Sequence, residues 1–347
     1  MGAPLHKVAS DLPRKPRLSE VLVTRIKSLD AQRGGCETRV RGSALESPPY
    51  IHSGEDEKAM RRTILDLLPV IALSAATLSQ ALAVTDGKLD GADHPAVVLI
   101  VMDVDGQPAF RCSGTLLSAT VVLTAGHCTN NFPGHPYTGM RVFTESDVQA
   151  GIGKTNNYPD CGGPNCVEAV HWQAHPLYET GAFVLHDVGV VVLPAPGVVL
   201  PVAQYGVLPK VNQFDALKTQ RGLQDLRFTA VGYGLQESFP DPAMFLATNS
   251  KTRYAAYPQL LQINVPGFTG DFSMLLSNNH HTGGTCFGDS GGPNFVGAPA
   301  TKGALDTETK VVAGVTSFGI NGNCAGTGGV FRMDRADVLS FVQSYLH

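Results

Sequence analysis

The chain has 347 residues, of which 43% are hydrophobic and 16% are charged, and its formal net charge is −4. This composition is typical of a globular protein and excludes a disordered chain. A basic stripe that would attract nucleic acid is absent, so no nucleic-acid partner is expected. The 38 glycines and 23 prolines, together with few long amphipathic patterns, favour β structure.

The first 83 residues differ from the rest of the chain. Residues 1–59 carry clusters of Arg and Lys with little periodicity, and we interpret them as an upstream extension from an early start assignment. Residues 60–83 are predicted to be a signal peptide, because Met60-Arg61-Arg62 precedes a largely apolar run and Ala81-Leu82-Ala83 offers small residues for cleavage. The alternative is an uncleaved membrane anchor behind a cytoplasmic tail, but a spanning helix needs about 20 apolar residues and this run is shorter.

Cleavage after Ala83 would leave residues 84–347, a length that suits two small β-barrels. The cysteines support this boundary, since the odd one, Cys36, lies in residues 1–83, which cleavage would remove. The six others form an even set, as expected for disulfides in an oxidising compartment: Cys112, Cys128, Cys161, Cys166, Cys286 and Cys324. We therefore expect a secreted, extracellular protein with no stable membrane insertion after cleavage.

The start of the remaining chain predicts an antiparallel meander. Residues 96–102 form a β-branched run, Asp105-Gly106 predicts a hairpin turn, and residues 109–113 follow as the next strand. Two further runs lead to the motif Thr124-Ala125-Gly126-His127-Cys128. Several short strands separated by turns predict a closed antiparallel barrel. His127 is expected at a strand end, facing a cleft.

The middle of the chain is predicted to be mainly surface loops, because residues 130–165 are rich in Pro, Gly and Asn. Cys161 and Cys166 are most simply the ends of a small disulfide loop. His171 and His175 are four apart, as zinc ligands on a helix would be. Pro176 and the β-like surroundings argue against a helix, so no metal site is predicted.

Further strands and a terminal helix follow. Asp187 precedes the apolar run 188–193, which predicts a buried strand with a carboxylate at its mouth. Taken alone, this pattern favours a structural role, and the two other motifs reverse that preference. Strands are also expected at 228–234, 260–265 and 311–319. Residues 334–346 predict an amphipathic helix from the spacing of Val338, Phe341, Val342 and Leu346.

Residues 285–293 read Thr-Cys-Phe-Gly-Asp-Ser-Gly-Gly-Pro and indicate a nucleophile. The glycines leave the Ser290 hydroxyl accessible and let neighbouring amides point at one spot. A serine is a poor nucleophile at neutral pH, so it needs a base and a third group that orients the base. His127 and Asp187 lie upstream, in the order His, Asp, Ser that distinguishes one convergent class of serine hydrolases.

Together these motifs resemble those of the chymotrypsin-like (trypsin-like) serine peptidases, from about Val84 to the C-terminus. The resemblance implies an all-β fold of two packed antiparallel six-stranded barrels, at about 94–205 and 206–333, with a C-terminal helix at 334–346. It also implies a secreted serine endopeptidase that works through an acyl-enzyme. His127, Asp187 and Ser290 would be catalytic, and the backbone amides of Gly288 and Ser290 would form the oxyanion hole.

The same resemblance places the primary specificity pocket. Gly284 would form its base, where trypsin-type members have Asp, and Gly319 and Gly329 would form its walls. An open, uncharged slot predicts apolar or aromatic side chains before the scissile bond. The expected substrate-binding residues are Gly284, Thr285, Ser317, Phe318, Gly319 and Gly329, with Phe318 where relatives usually have Trp.

By resemblance, Cys112–Cys128 would be the disulfide behind the catalytic His, and Cys286–Cys324 would bridge the pocket. A free ammonium at Val84 would pair with Asp289 and hold the nucleophile loop in its active shape. The alternative is an exposed N-terminus with Asp289 satisfied otherwise, since a buried carboxylate needs some partner.

The expected partners are protein or peptide substrates and a proteinaceous inhibitor, with no cofactor and with a monomeric state. Two alternatives stay open at this stage: a catalytically silent binding protein on the same fold, and a membrane-anchored peptidase. His280-His281 is predicted to be a solvated surface pair, with substrate contact or pH sensing as the alternatives.

Overall fold

The computed structural model describes seven stretches of the chain, all within one unit, Leu78–His347. They are residues 84–131, 136–179, 185–218, 226–239, 250–265, 270–298 and 308–346. The upstream extension and the signal peptide predicted for residues 1–83 lie outside the described residues. None of the helices in these stretches is long and apolar enough to cross a membrane.

Two antiparallel sheets contain the strands, and the chain enters the second sheet first through β1 (Lys88–Leu89). The next seven strands form the first sheet, which runs from β6 at one edge to β7 at the other. Asp105 and Gly106 join the first two of them with positive φ angles of 52° and 73°, as the predicted turn requires. The strands are β2 (Val97–Val104), β3 (Gln107–Leu116), β4 (Val121–Thr124), β5 (Tyr137–Phe143), β6 (Cys166–Glu168), β7 (His171–Ala174) and β8 (Gly189–Val192).

The second sheet takes the later strands in the order β1-β10-β9-β13-β14-β15-β12-β11. Its own core contains Ile263, Met274 and Val330, all fully or almost fully buried. The strands are β9 (Phe228–Gly232), β10 (Tyr254–Ala256), β11 (Leu260–Val265), β12 (Gly270–Asn278), β13 (Pro293–Val296), β14 (Val312–Gly319) and β15 (Gly326–Arg332).

β2 is apolar from Val97 to Met102 because each of its faces packs into a different core. Its alternate residues from Val97 to Val101 join a cluster that also contains Phe331 of the second sheet. The residues between them, from Val98 to Met102, belong to the core of the first sheet. Side chains alternate across a strand, so a strand between two cores reads as a continuous apolar run.

A buried ionic cluster fixes the segment between β1 and β2 to the second sheet. Arg253 Nε donates to Asp90 Oδ2 at 2.6 Å, and Arg253 Nη1 donates to Val97 O at 2.9 Å. His94 bonds Asp90 through Nδ1 and Glu308 through Nε2. Burial acts to raise the pKa of Asp90, but its bonds to His94 and Arg253 outweigh burial and hold the pKa below the ordinary value. The N-terminal segment is thereby held in one place.

The helices of the described chain are short: α1 (Gly126–Thr129), α2 (Val148–Gly151) and α3 (Ala336–Gln343). The terminal helix α3 confirms the prediction for residues 334–346. It buries Val338, Leu339 and Val342, and Val338 and Val342 join the cluster shared by the two sheets.

Two curled antiparallel sheets with a terminal helix confirm the predicted chymotrypsin-like, all-β class. The sheets contain seven and eight strands in the described chain, whereas six each were predicted. The difference comes partly from edge strands such as β1 and β6, which are two and three residues long. So few residues carry too little periodicity to be recognised.

Candidate active site

Glycines give the loop between β12 and β13 its shape. Gly288 and Gly291 have φ angles of +97° and +77°, a region that other residues rarely adopt. A Cβ on Gly291 would also lie 2.6 Å from Ser113 O and 2.7 Å from Ala125 N. The motif predicted from the sequence therefore has its glycines where the backbone requires them.

The nucleophile loop is clamped between the two sheets. Ser113 N of β3 donates to Ser290 O at 2.8 Å, and Gly291 N donates to Thr316 O of β14 at 2.7 Å. Ser113 Oγ adds a bond of 2.9 Å to Gly288 O. Ser290 thus lies at the junction of the two sheets.

Two backbone N–H groups of this loop are available to bind a ligand. The N–H groups of Gly288 and Ser290 donate to no other residue of the described chain. The carbonyls on either side of this turn are occupied, since Asp289 N donates to Cys286 O at 3.0 Å and Gly292 N donates to Asp289 O at 2.8 Å. Such a pair of N–H donors can bind an anion.

His127 and Asp187 form a hydrogen-bonded pair. His127 Nδ1 lies 2.9 Å from Asp187 Oδ2, and His127 N donates to Asp187 Oδ1 at 2.8 Å. The Asp187 side chain is fully buried, whereas the His127 side chain is 29% exposed. Burial acts to lower the pKa of His127, but the charge and hydrogen bonds of Asp187 outweigh it and raise the pKa above 6.5.

A third partner of Asp187 comes from the second sheet. Ser317 Oγ of β14 donates to Asp187 Oδ2 at 2.5 Å. Sequence reasoning assigned Ser317 only to substrate binding and missed this contact, because Ser317 lies inside a strand with no local motif of its own. The carboxylate is therefore held by His127 of α1 and by Ser317 of the second sheet.

The residue before Asp187 has a strained backbone. His186 has a φ of +51°, which is uncommon for a residue with a side chain. Its ring stacks on His175 at 4.9 Å, and its Nε2 lies 3.2 Å from Asp337 of α3. The terminal helix thus contributes to the position of Asp187.

A cavity of about 1040 Å³ lies at this junction, and His127 and Ser290 both line it. The hydrogen bonds of the described residues include none between Ser290 Oγ and His127. In free enzymes such contacts are often long and shorten when substrate binds. Thr285, Ser317, Phe318 and Gly319 of the predicted substrate site line the same cavity, together with Phe110, Arg111, Phe287, Gly288 and Ile320.

Gly284 and Gly329 are not among the residues that line this cavity in the described chain. A Cβ on Gly284 would meet the Asn278 side chain, and a Cβ on Gly329 would meet the ring of Phe318. Asn278 Nδ2 also donates to Thr285 O at 2.8 Å. Asn278 therefore fills the space beneath Gly284, a contact that no sequence motif indicated.

Asp289 is fully buried beside the nucleophile, and within the described chain its carboxylate accepts hydrogen bonds from two backbone amides. Gly234 N donates to Oδ1 at 2.7 Å and Cys286 N donates to Oδ2 at 2.8 Å. Burial outweighs these bonds and the nearby charge of Arg111, and it raises the pKa of Asp289 to about 7. Val84 is also fully buried, and Thr85 O accepts from Gly284 N at 3.1 Å.

The structure pairs the six cysteines as expected: Cys112 with Cys128, Cys161 with Cys166, and Cys286 with Cys324. Within the described residues, the group of possible metal ligands that lie close together is Cys112, His127 and Cys128. Both sulfurs are in a disulfide, so they are not thiolates that could hold an ion.

The remaining histidines have other contacts. His171 lies in β7, a strand rather than a helix. His175 Nδ1 accepts from Leu177 N at 3.2 Å. His280 is 87% exposed and lies 2.7 Å from Asp86, which is the position of a solvated surface residue.

The family model described as Trypsin matches residues 91–336. The matched span covers more than half of the chain and contains both sheets except β1, as well as His127, Asp187 and Ser290. The chain therefore belongs to the trypsin family of trypsin-like serine peptidases, which also includes inactive members.

The chain is also similar to two known proteins. The Spaetzle-processing enzyme of Drosophila melanogaster is 27% identical over 231 residues, which are 60% of this chain and 52% of that protein. The chain thus spans about half the length of this relative. A solved structure of HL collagenase has a TM-score of 0.53 and 18% identity, and the match covers 76% of this chain and 98% of that one. At this identity the likeness concerns the fold.

Proposed function

We propose that the chain is a secreted serine endopeptidase that hydrolyses peptide bonds through an acyl-enzyme. The observation that carries this proposal is the hydrogen bond between His127 Nδ1 and the buried carboxylate of Asp187, on the wall of a cavity that Ser290 also lines. Membership of the trypsin family supports it. Secretion is supported by the predicted signal peptide at 60–83 and by the three disulfides, which suit an oxidising compartment.

In the proposed reaction, Ser290 Oγ attacks the carbonyl carbon of the scissile bond while His127 Nε2 accepts the hydroxyl proton. Asp187 keeps the other proton on His127 Nδ1 and stabilises the imidazolium that forms. The substrate oxygen, now negative, accepts hydrogen bonds from the N–H groups of Gly288 and Ser290. One such donor typically lowers the barrier by about 3–4 kcal/mol.

In the steps that follow, His127 acts first as an acid and then again as a base. His127 gives its proton to the leaving amine, which departs and leaves the acyl group as an ester on Ser290. A water molecule then loses a proton to His127 and attacks the ester carbon. The acid product leaves, and the proton returns from His127 to Ser290.

A catalytically silent binding protein is the second candidate. The observation in its favour is that His127 and Ser290 share no hydrogen bond in the described chain, while the Phe318 ring covers Gly329. Such proteins generally lack one of the three catalytic residues, whereas this chain has all three. The membrane-anchored peptidase differs from the main proposal only in whether the leader is cut, which N-terminal sequencing of secreted protein decides.

Covalent labelling distinguishes the enzyme from the silent protein. The product of secretory expression of the full chain is treated with an organophosphonate, which reacts with an activated serine. We expect one label per molecule, at Ser290, together with peptide hydrolysis. Ser290→Ala should remove the label and lower turnover at least about 10⁴-fold with the fold intact, whereas Ser344→Ala, at an exposed serine, should change neither. Folded protein without label or hydrolysis would establish the silent protein.

Substrates are proposed to have an apolar or aromatic residue before the scissile bond. None of the described residues of the predicted pocket carries a charge, and Asn278 leaves no room for an acid at Gly284. A peptide library varied at this position should show cleavage after Phe, Tyr or Leu at least about tenfold above cleavage after Arg or Lys, because a buried cation without a partner is costly. Strong cleavage after Arg or Lys would overturn this preference.

The Val84 ammonium is proposed to pair with Asp289 once the leader is removed. Support comes from the burial of both residues and from the contact between Thr85 and Gly284. Without the Val84 ammonium, burial outweighs the charge of Arg111, and Asp289 has a raised pKa of about 7 and is only partly ionised at neutral pH. An ammonium within the pocket would lower that pKa and hold the carboxylate charged.

One residue added before Val84 tests this pairing. An alanine inserted between Ala83 and Val84, verified by N-terminal sequencing, should abolish activity because the ammonium no longer reaches Asp289. The extended form should also lose stability as the pH rises from about 4 to about 7. The unfolded carboxyl ionises near 3.8, whereas the folded one stays protonated up to about 7. Val84→Ile is the matched control, and unchanged turnover after the insertion would discard the ion pair.

A further inference from the structure

The cavity at the nucleophile has an uneven charge. Among the described residues that line it, Arg111 is the only one with a permanent charge, and His127 is the only other titratable cation. No Asp or Glu is present in that lining. Since low-dielectric walls focus the field of a charge, a bound substrate meets a positive potential at Arg111.

Arg111 lies directly against the proposed oxyanion donor. A Cβ built on Gly288 would lie 3.1 Å from Arg111 Nε and 3.5 Å from Nη2. Arg111 belongs to β3, next to Cys112, and its side chain is partly exposed. The guanidinium is therefore within a few ångströms of the site where the scissile bond would lie.

The position of Arg111 identifies the half of the substrate that it meets. The Ser290 loop is bonded to β3 through Ser113 and to β14 through Thr316, so these strands flank the nucleophile on opposite sides. The acyl half of a substrate is expected to pair with the edge of β14 at 317–319. The leaving half then passes along β3, where Arg111 lies.

A second cation strengthens the positive charge at this place. Lys251 Nζ lies over the ring of Tyr158, 5.2 Å from its centre, and Arg111 is hydrogen-bonded to the Tyr158 side chain. Burial lowers the pKa of Lys251, and the nearby charge of Arg111 lowers it further. These two cations repel each other across the Tyr158 ring. An anion that binds beside them on the solvent side therefore stabilises both charges.

We propose that Arg111, supported by Lys251, selects substrates that carry an acidic side chain at one of the first two positions after the scissile bond. This inference rests on the proposed peptidase activity and makes it more specific. Arg111 already bonds Tyr158 and interacts with the charge of the buried Asp289 carboxylate. A guanidinium has five N–H donors, so it can bind a substrate carboxylate as well. Phe110 and Phe287, 43% and 56% exposed, would cover the apolar part of the same segment.

Matched peptides test the inference on the protein obtained from the full chain. Internally quenched peptides share one acyl half and carry Glu, Gln or Lys at the first or the second position after the scissile bond. We expect kcat/KM for the better Glu peptide to exceed that of its Gln counterpart by about tenfold, and Lys to be worst. The preference should shrink as salt is raised to about 1 M, because screening weakens a partly exposed ion pair.

Variants assign the preference to Arg111. Arg111→Met should reduce the Glu-to-Gln ratio to about one, Arg111→Lys should retain part of it, and Lys251→Met should lower it less. Lys154→Met, at an exposed lysine outside the cavity lining, is the matched control and should leave it unchanged. Arg111→Met should lose more kcat/KM with the Glu peptide than with a peptide anilide, which has no residue after the scissile bond.

The outcomes separate this inference from the peptidase proposal. Equal rates for Glu and Gln peptides, with Ser290 labelled and the anilide hydrolysed, would overturn the role of Arg111 and leave the peptidase intact. A Glu preference that survives Arg111→Met would overturn it too. Absence of both labelling and hydrolysis would overturn the peptidase and the inference together. If Arg111→Met does not fold, the preference of the unaltered protein and its salt dependence decide.

Discussion

The buried carboxylate of Asp187 is the interaction on which the arrangement of the site depends. An ionised carboxylate without partners costs several kcal/mol in a protein interior, so the fold has to supply donors. His127 supplies its backbone N–H and Nδ1 from α1, and Ser317 supplies its hydroxyl from β14. Because α1 follows a strand of the first sheet and Ser317 lies in the second sheet, the same bonds that stabilise the carboxylate orient the imidazole and connect the two sheets.

A similar constraint operates beside the nucleophile. Asp289 is fully buried with two amide donors, and its pKa is raised to about 7. Glycines surround it because a Cβ at Gly234 would lie 2.5 Å from its Oδ2. The Ser290 loop therefore combines an accessible hydroxyl, two available amides and a carboxylate whose charge depends on what enters the pocket. Such a loop can be switched by one cation, as we propose for Val84.

The parts of the site that the sequence revealed are those in which chemistry dictates a local motif. The glycines around Ser290 and the motifs at His127 and Asp187 carried a resemblance to a known family, and that resemblance implied the fold class and the three proposed catalytic residues in advance. Contacts made by distant residues had no such signal. Ser317 bonds Asp187 across 130 positions, Asn278 fills the space under Gly284, and Phe318 covers Gly329. Arg111 lies in a predicted strand and has no motif of its own, so only the fold shows that it lies against Gly288. The strand β1 is too short for its side-chain pattern to be recognised.

The pKa of His127 tests the central claim most directly. It can be followed by the NMR shifts of the imidazole in a pH titration of the full chain's product and of Asp187→Asn. The account predicts a value above 6.5 in the unaltered protein, because Asp187 outweighs burial. In Asp187→Asn the value should fall below 6.5, since only burial remains to act on the ring. Equal pKa values of His127 in the two folded proteins would contradict the claim that the Asp187 carboxylate binds the imidazole and raises its pKa.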